Sequence, residues 1–247
     1  MLRALRFVSI ALAMLAALGA LPAAAQQTPP LTREQIEQIV REYLINNPEV
    51  IVEAIEALEA RQKQAAQAGQ RDAVAAHQEQ LYRDPDAPVL GNPTGDVTVV
   101  EFFDYRCPYC KQVAPSLSQL LKEDGKLRLV LKEFPILGPD SVLAARAALA
   151  AQAQGKYAAM HAALLRHRST FDDAAIARIA TDAGLDVARM KSDMAKPEIT
   201  AMIDRNKGLA RALSVTGTPA FIIGDRVVPG AVDLETLKLL VAETRKR

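Results

Sequence analysis

Two cysteines stand two residues apart in Cys107-Pro108-Tyr109-Cys110, and the 247-residue chain has no others. At this spacing, two sulfurs come within bonding reach across the first turn of a helix, so a dithiol and a disulfide can interconvert. A bridge between them closes so short a loop that it adds little stability through chain entropy. That points to chemistry in place of cross-linking. Half a zinc site would need a second pair of ligands, and His77, His161 and His167 are scattered through helical stretches where they read as packing or surface residues. Neither a metal nor a cofactor is expected.

Within the motif, Cys107 falls at a helix N-terminus, where unpaired N–H groups and the helix dipole favour a thiolate. It is the expected attacking sulfur, with a pKa well below that of a free thiol. Cys110, one turn further in, is the expected resolving thiol. Pro108 fits the first turn because its missing N–H costs nothing there. Tyr109 is placed to tune partner contact and thiolate stability. Farther along the chain, Thr216-Gly217-Thr218-Pro219 opens the apolar run Ala-Phe-Ile-Ile. Proline there suits a cis bond in a tight turn, with neighbouring backbone free to pair with an extended peptide. Glu101 is a charge inside the most apolar strand. It reads either as a solvent-facing position or as a carboxylate beneath the site that affects proton movement at Cys110. Lys132, similarly placed in the next strand, is its candidate partner.

These residues need elements to hold them. Residues 97–103 form a nearly continuous apolar strand of the kind covered on both faces. A helix is predicted over 107–123 and a second strand over 127–134. This strand–helix–strand order favours a right-handed crossover and a parallel pair. A short strand is predicted at 89–90. Residues 140–213 read as helical throughout, with Asp140, Thr170 and Asp186 as candidate caps. Residues 220–223 and 226–228 make a hairpin around Gly224-Asp225, and 233–243 a last helix. Ahead of this part, Thr32 and Gln35 mark a capping box. The apolar positions Ile36, Ile39, Val40, Tyr43 and Leu44 follow at helical spacing, then Val50, Ile51, Ala54, Ile55 and Leu58 beyond Pro48. Residues 59–80 read as a long polar helix.

The first residues combine Arg3 and Arg6, an uncharged apolar stretch and Ala23-Ala24-Ala25, the pattern of an export signal cleaved after Ala25. Loss of Arg3 and Arg6 takes the net charge from +1 to −1. Such a balance offers no field for nucleic acid. The expected destination is the periplasm or another extracytoplasmic space. The expected organisation is a signal peptide over 1–25, a helical module and linker helix over 26–80, and an α/β domain over 81–247 with a helical insertion at about 139–196.

Val-Glu-Phe-Phe-Asp-Tyr-Arg-Cys-Pro-Tyr-Cys resembles the active-site segment of DsbA-like periplasmic thiol–disulfide interchange proteins. The resemblance implies a thioredoxin-like fold with a helical insertion. It aligns Thr218-Pro219 with the family's cis-proline, Glu101 with its buried acidic residue, and Lys132 with a nearby lysine. Glu-Tyr-Leu-Ile-Asn-Asn-Pro-Glu-Val-Ile-Val-Glu-Ala-Ile is similar to the leader module of the ScsC-like and Com1-like subgroup, whose members include oligomeric isomerases. The segment Phe134-Pro135-Ile136-Leu137-Gly138-Pro139 with Ser141 resembles that subgroup too. The dipeptide Pro-Tyr between the cysteines, where the best-known oxidase has Pro-His, and threonine before the proline in place of valine point away from a pure oxidase.

The function expected is thiol–disulfide exchange on exported proteins, forming or isomerising disulfides through a mixed disulfide. Its partners would be exported clients, a membrane redox partner and further copies of the chain, joined through residues 32–80. The alternatives are a peptide-binding chaperone or a structural surface protein, with redox capacity or Cu(I) binding by the two thiolates incidental.

Overall fold

The computed structural model describes residues 30–246. The expected signal and its cleavage site lie outside the described residues. By its internal packing the chain divides between Glu59 and Ala60.

In the first unit, helix α1 (Arg33–Asn46) starts at Thr32. The Thr32 hydroxyl accepts from the Gln35 N–H, and the Gln35 side chain accepts from the Thr32 N–H at 2.9 Å. Asn47 ends the helix by donating from its backbone and its side chain to the Tyr43 carbonyl. Helix α2 (Glu49–Ala76) follows Pro48. No side chain over residues 30–59 is buried, although Ile36, Ile39, Val40, Tyr43, Ile51, Ile55 and Leu58 are large and apolar.

In the second unit, α3 (Gln78–Tyr82) leads into a five-stranded sheet. Its strands are β1 (Val89–Gly91), β2 (Val97–Phe103), β3 (Leu127–Glu133), β4 (Ala220–Ile223) and β5 (Arg226–Pro229), ordered β1-β3-β2-β4-β5. β2 and β3 are parallel and joined by α4 (Pro108–Glu123); the remaining pairs are antiparallel. β2 is central, which explains why it reads as an unbroken apolar run. At the turn before β2, a Cβ on Gly95 would lie 2.4 Å from the Lys126 carbonyl oxygen, so only glycine lets this turn close against the start of β3.

Strand alternation divides the core in two. Val97, Val99, Phe103, Leu129 and Leu131 face α4, the last helix α10 (Leu234–Arg245) and the inserted helices. Val100, Phe102, Val130 and Ile222 face α9 (Pro197–Ala212) and also Val74 and Leu81. Val74 sits in the stretch expected to be a polar linker helix, yet its side chain packs into this core beside Leu81. The insertion comprises α5 (Pro139–Gln152), α6 (Tyr157–Arg166), α7 (Asp173–Asp182) and α8 (Val187–Met194). Two expected caps are displaced. Asp140 lies inside the first turn of α5, which starts at Gly138-Pro139, and α7 is capped by Asp172 instead of Thr170. Asp186 caps α8 as expected.

Candidate active site

β2 ends at Phe103, and Asp104 to Arg106 carry the chain to Cys107, the N-cap of α4, with Pro108 in the first turn. The buried Asp104 carboxylate shapes this junction. Oδ1 accepts from the Arg106 N–H at 2.8 Å and the Ser141 hydroxyl at 2.7 Å, and Oδ2 accepts from the Ile136 and Leu137 N–H groups at 2.8 and 3.0 Å. Four donors satisfy one buried carboxylate and tie the loop after β3 to the strand–helix junction.

Both cysteines are reduced and buried, Cys107 at 4% exposure and Cys110 at 1%. The Cys107 thiol donates to the Thr218 carbonyl at 3.1 Å, although Thr218 lies 111 residues away in sequence. The Thr218–Pro219 peptide bond is cis. The Cys107 thiol is pulled down to about 5. The hydrogen bond from Cys110 contributes most, followed by the Thr218 side chain and the backbone N–H groups of Cys110 and Tyr109, all working against partial burial. Those N–H groups favour the thiolate without closing a cap hydrogen bond in the dithiol form. Cys110 moves the opposite way. Its proton is held by the hydrogen bond to Cys107, by burial and by the charge of Glu101. The two thiols are thus divided into one that ionises readily and one that keeps its proton.

Glu101 is buried on the α4 face of β2, paired in register with Leu131 and Phe221. Its carboxyl is pushed up to about 8, chiefly by burial and then by the Cys107 charge. It lines a cavity of about 340 Å³ that runs along α4 past Ala114, Leu117 and His161. The solvent-facing reading of Glu101 therefore fails. The pairing with Lys132 fails too. Lys132 stands opposite Phe102 and points to the other face, where it forms an ion pair with Asp84 at 2.7 Å. Neighbours one step apart in a strand face opposite ways, so Glu101 and Lys132 cannot meet across this register. Burial lowers the Lys132 ammonium while Asp84 supports its charge.

Tyr109 is 61% exposed beside the cysteines. Asp104 carries no glycine, cysteine or histidine signal. Its only mark in the sequence is an aspartate at a strand end two residues before Arg106, where an Asx turn can form. A second network also escapes sequence reading. The buried Glu133 Oε1 accepts from the Tyr105 hydroxyl at 2.9 Å and the Tyr157 hydroxyl at 2.8 Å, and Tyr105 also contacts His161 Nδ1 at 2.9 Å. Burial holds the Glu133 carboxyl well above its usual range and pushes the His161 imidazole down to about 3. Among the described residues, no group of three or more metal-ligating side chains comes together.

The chain is similar to known proteins. The family model "DSBA-like thioredoxin domain" matches residues 98–242, and "Copper resistance protein ScsC N-terminal domain" matches residues 33–65. A thioredoxin-like oxidoreductase from Silicibacter pomeroyi is 48% identical, covers 68% of this chain and 98% of its own, and superposes with a TM-score of 0.67. ScsC of Proteus mirabilis in a transitional conformation is 28% identical, with coverages of 86% and 96% and a TM-score of 0.66. The Na(+)/H(+) antiporter NhaA 3 of Salinispora tropica is 35% identical over 161 residues, 64% of this chain. The match takes in only 25% of that antiporter's own length. Among the described residues, no helix is long and apolar enough to cross a membrane. A Cys-X-X-Cys pair at this place in the fold is consistent with a redox-active oxidoreductase, and the likeness supports a periplasmic or extracytoplasmic location. Strand order, cysteine placement and family match agree: the chain belongs to the DSBA-like thioredoxin family, with an ScsC-type N-terminal domain ahead of the thioredoxin domain.

Proposed function

We propose that the protein is a disulfide oxidoreductase and isomerase for exported proteins, working through a mixed disulfide at Cys107. The observation that carries this reading is the division of the pair, one thiol at about 5 and the other holding its proton. In isomerisation, the Cys107 thiolate attacks a client disulfide and one client sulfur leaves as thiolate. A second client thiolate then attacks the client sulfur of the mixed disulfide and expels Cys107, with no net change in oxidation. In oxidation, a client thiolate attacks Cys107 of the Cys107–Cys110 disulfide, and Cys110 leaves and takes a proton from Glu101. A second client thiolate then releases reduced Cys107. The client loses two electrons and two protons, and a membrane redox partner must later remove the electrons. A stabilised Cys107 thiolate is a good leaving group and favours the reduced couple, so the disulfide form is oxidising.

Thr218 and Pro219 are assigned to holding the client backbone beside Cys107. Residues 32–80 are assigned to self-association, supported by the large apolar side chains left exposed on α1 and the start of α2. Several active sites around one client suit reshuffling.

Serine at Cys107 is expected to abolish exchange with a model disulfide. Serine at Cys110 is expected to leave the attack intact and trap mixed disulfides, visible as added mass under non-reducing conditions. Normal turnover by Cys107→Ser would remove the assignment.

A further inference from the structure

Glu101 and His161, both buried, line the inner part of the cavity of about 340 Å³ beside α4. Neither is fully engaged by the fold. Among the described residues the Glu101 carboxyl makes no hydrogen bond, and His161 bonds only through Nδ1, at 2.9 Å from the Tyr105 hydroxyl. Burial is the chief reason both are neutral at pH 7, the carboxyl at about 8 and the imidazole at about 3. The Tyr105 hydroxyl proton goes to Glu133, so Nδ1 carries the ring proton of His161 and Nε2 is left as an acceptor. The cavity therefore holds one O–H donor and one ring-nitrogen acceptor that the fold does not use. Buried polar groups without partners cost free energy that a bound molecule can recover.

The walls are aliphatic, with Leu90, Leu117, Leu129 and Leu165 among them. The rim is cationic. Lys111 is half-buried and donates to the His167 carbonyl at 2.6 Å. Arg166 and Arg168 are exposed, and neither makes an ion pair among the described residues. The Lys111 ammonium is lowered by burial and then by the Arg168 and Arg106 charges, the mark of positive charge in excess. Among the described residues, Glu101 is the only acid in the lining.

We propose that this cavity binds a small amphipathic acid, with its carboxylate on Arg166 and Arg168, its aliphatic body against the leucines and a hydroxyl at its far end between Glu101 and His161. A hydroxyl donates to Nε2 and accepts from the Glu101 O–H at once. The volume lies at the small end of ligand pockets and suits a single chain of about eight carbons.

The probes are ω-hydroxyoctanoate, octanoate and α,ω-octanediol, titrated at pH 7 into the reduced full-length protein and followed by calorimetry. The hydroxy acid is expected to bind about tenfold tighter than the diol, by a margin that shrinks with salt. It is expected to bind about fivefold tighter than octanoate, the worth of its far hydroxyl. The surface variant R166E/R168E should make the diol the better ligand of the two, and E101L should bring the hydroxyl margin close to one. Each margin is read within one protein, so a general loss of folded material cancels. No binding of any probe at millimolar concentration, or equal binding of all three, overturns the proposal. So does an undiminished carboxylate margin in R166E/R168E or an undiminished hydroxyl margin in E101L. The heat of binding involves no exchange step, so this result stands apart from the test of the cysteine chemistry.

Discussion

Cys107 and Glu101 titrate in opposite senses against the unfolded chain. Cys107 is depressed to about 5, so its contribution to the stability of the reduced protein is present above the ordinary thiol pKa and lost as pH falls through about 5. Glu101 is raised to about 8, so its contribution is present below the ordinary carboxyl pKa and lost as pH rises through about 8. Replacing Glu101 by glutamine removes the second effect. The variant should melt above the unaltered protein at pH 9 and show no such gain at pH 4, in paired thermal scans. If Glu101 moves the Cys110 proton, the same variant should release mixed disulfides about a hundredfold more slowly and lose the inflection near pH 8. An unchanged release profile would reduce Glu101 to a packing residue. At this scale the cysteines and Glu101 were legible because residue type and spacing carry their chemistry. Lys132 was misplaced because a strand pattern does not report which face a register selects. Asp104 was missed because three of its four donors lie 32 to 37 residues away.

Helices and strands read well where their ends carry local chemistry. The capping box at Thr32, Asp186 before α8 and Asp233 before α10 all accept N–H groups of their own first turns. The cap of α7 was misassigned to Thr170, because Asp172 two residues on is an equally suitable type. Phe171 decides it: its ring is buried, so the chain must turn after it, and Asp172 meets the Ala175 N–H at 2.7 Å. Alanine at Asp172 should cost about 1 kcal/mol in urea unfolding, whereas alanine at Thr170 should cost little. Equal losses at the two positions would contradict the cap assignment. Pro115 is another local surprise. It sits inside α4 without ending it, because the helix is held on both sides by Cys110, Val113, Leu117 and Leu120 in the core.

For the whole molecule, the prominent pattern is the concentration of exposed apolar side chains before residue 59. Glutamate at Ile39 together with Tyr43 is expected to convert a dimer or trimer into a monomer by light scattering, with exchange on small dithiols preserved. An unaltered protein that is monomeric at micromolar concentration would remove self-association and favour oxidation over reshuffling. The amphipathic pattern of α1 was plain in the sequence. The place of Val74 in the core was not, because one valine among alanine and polar residues carries no apolar stripe and only the far face of the sheet shows it to be core. The exposed Tyr109 has one more effect. The chain has five tyrosines and no tryptophan. Tyr105 and Tyr157 are buried with their hydroxyls on Glu133, whereas Tyr43 and Tyr109 are exposed. One of these adjoins Cys110, where a disulfide quenches and a thiol does not. Tyrosine fluorescence is therefore expected to rise on reduction and fall on oxidation, so that turnover could be followed in real time without any dye.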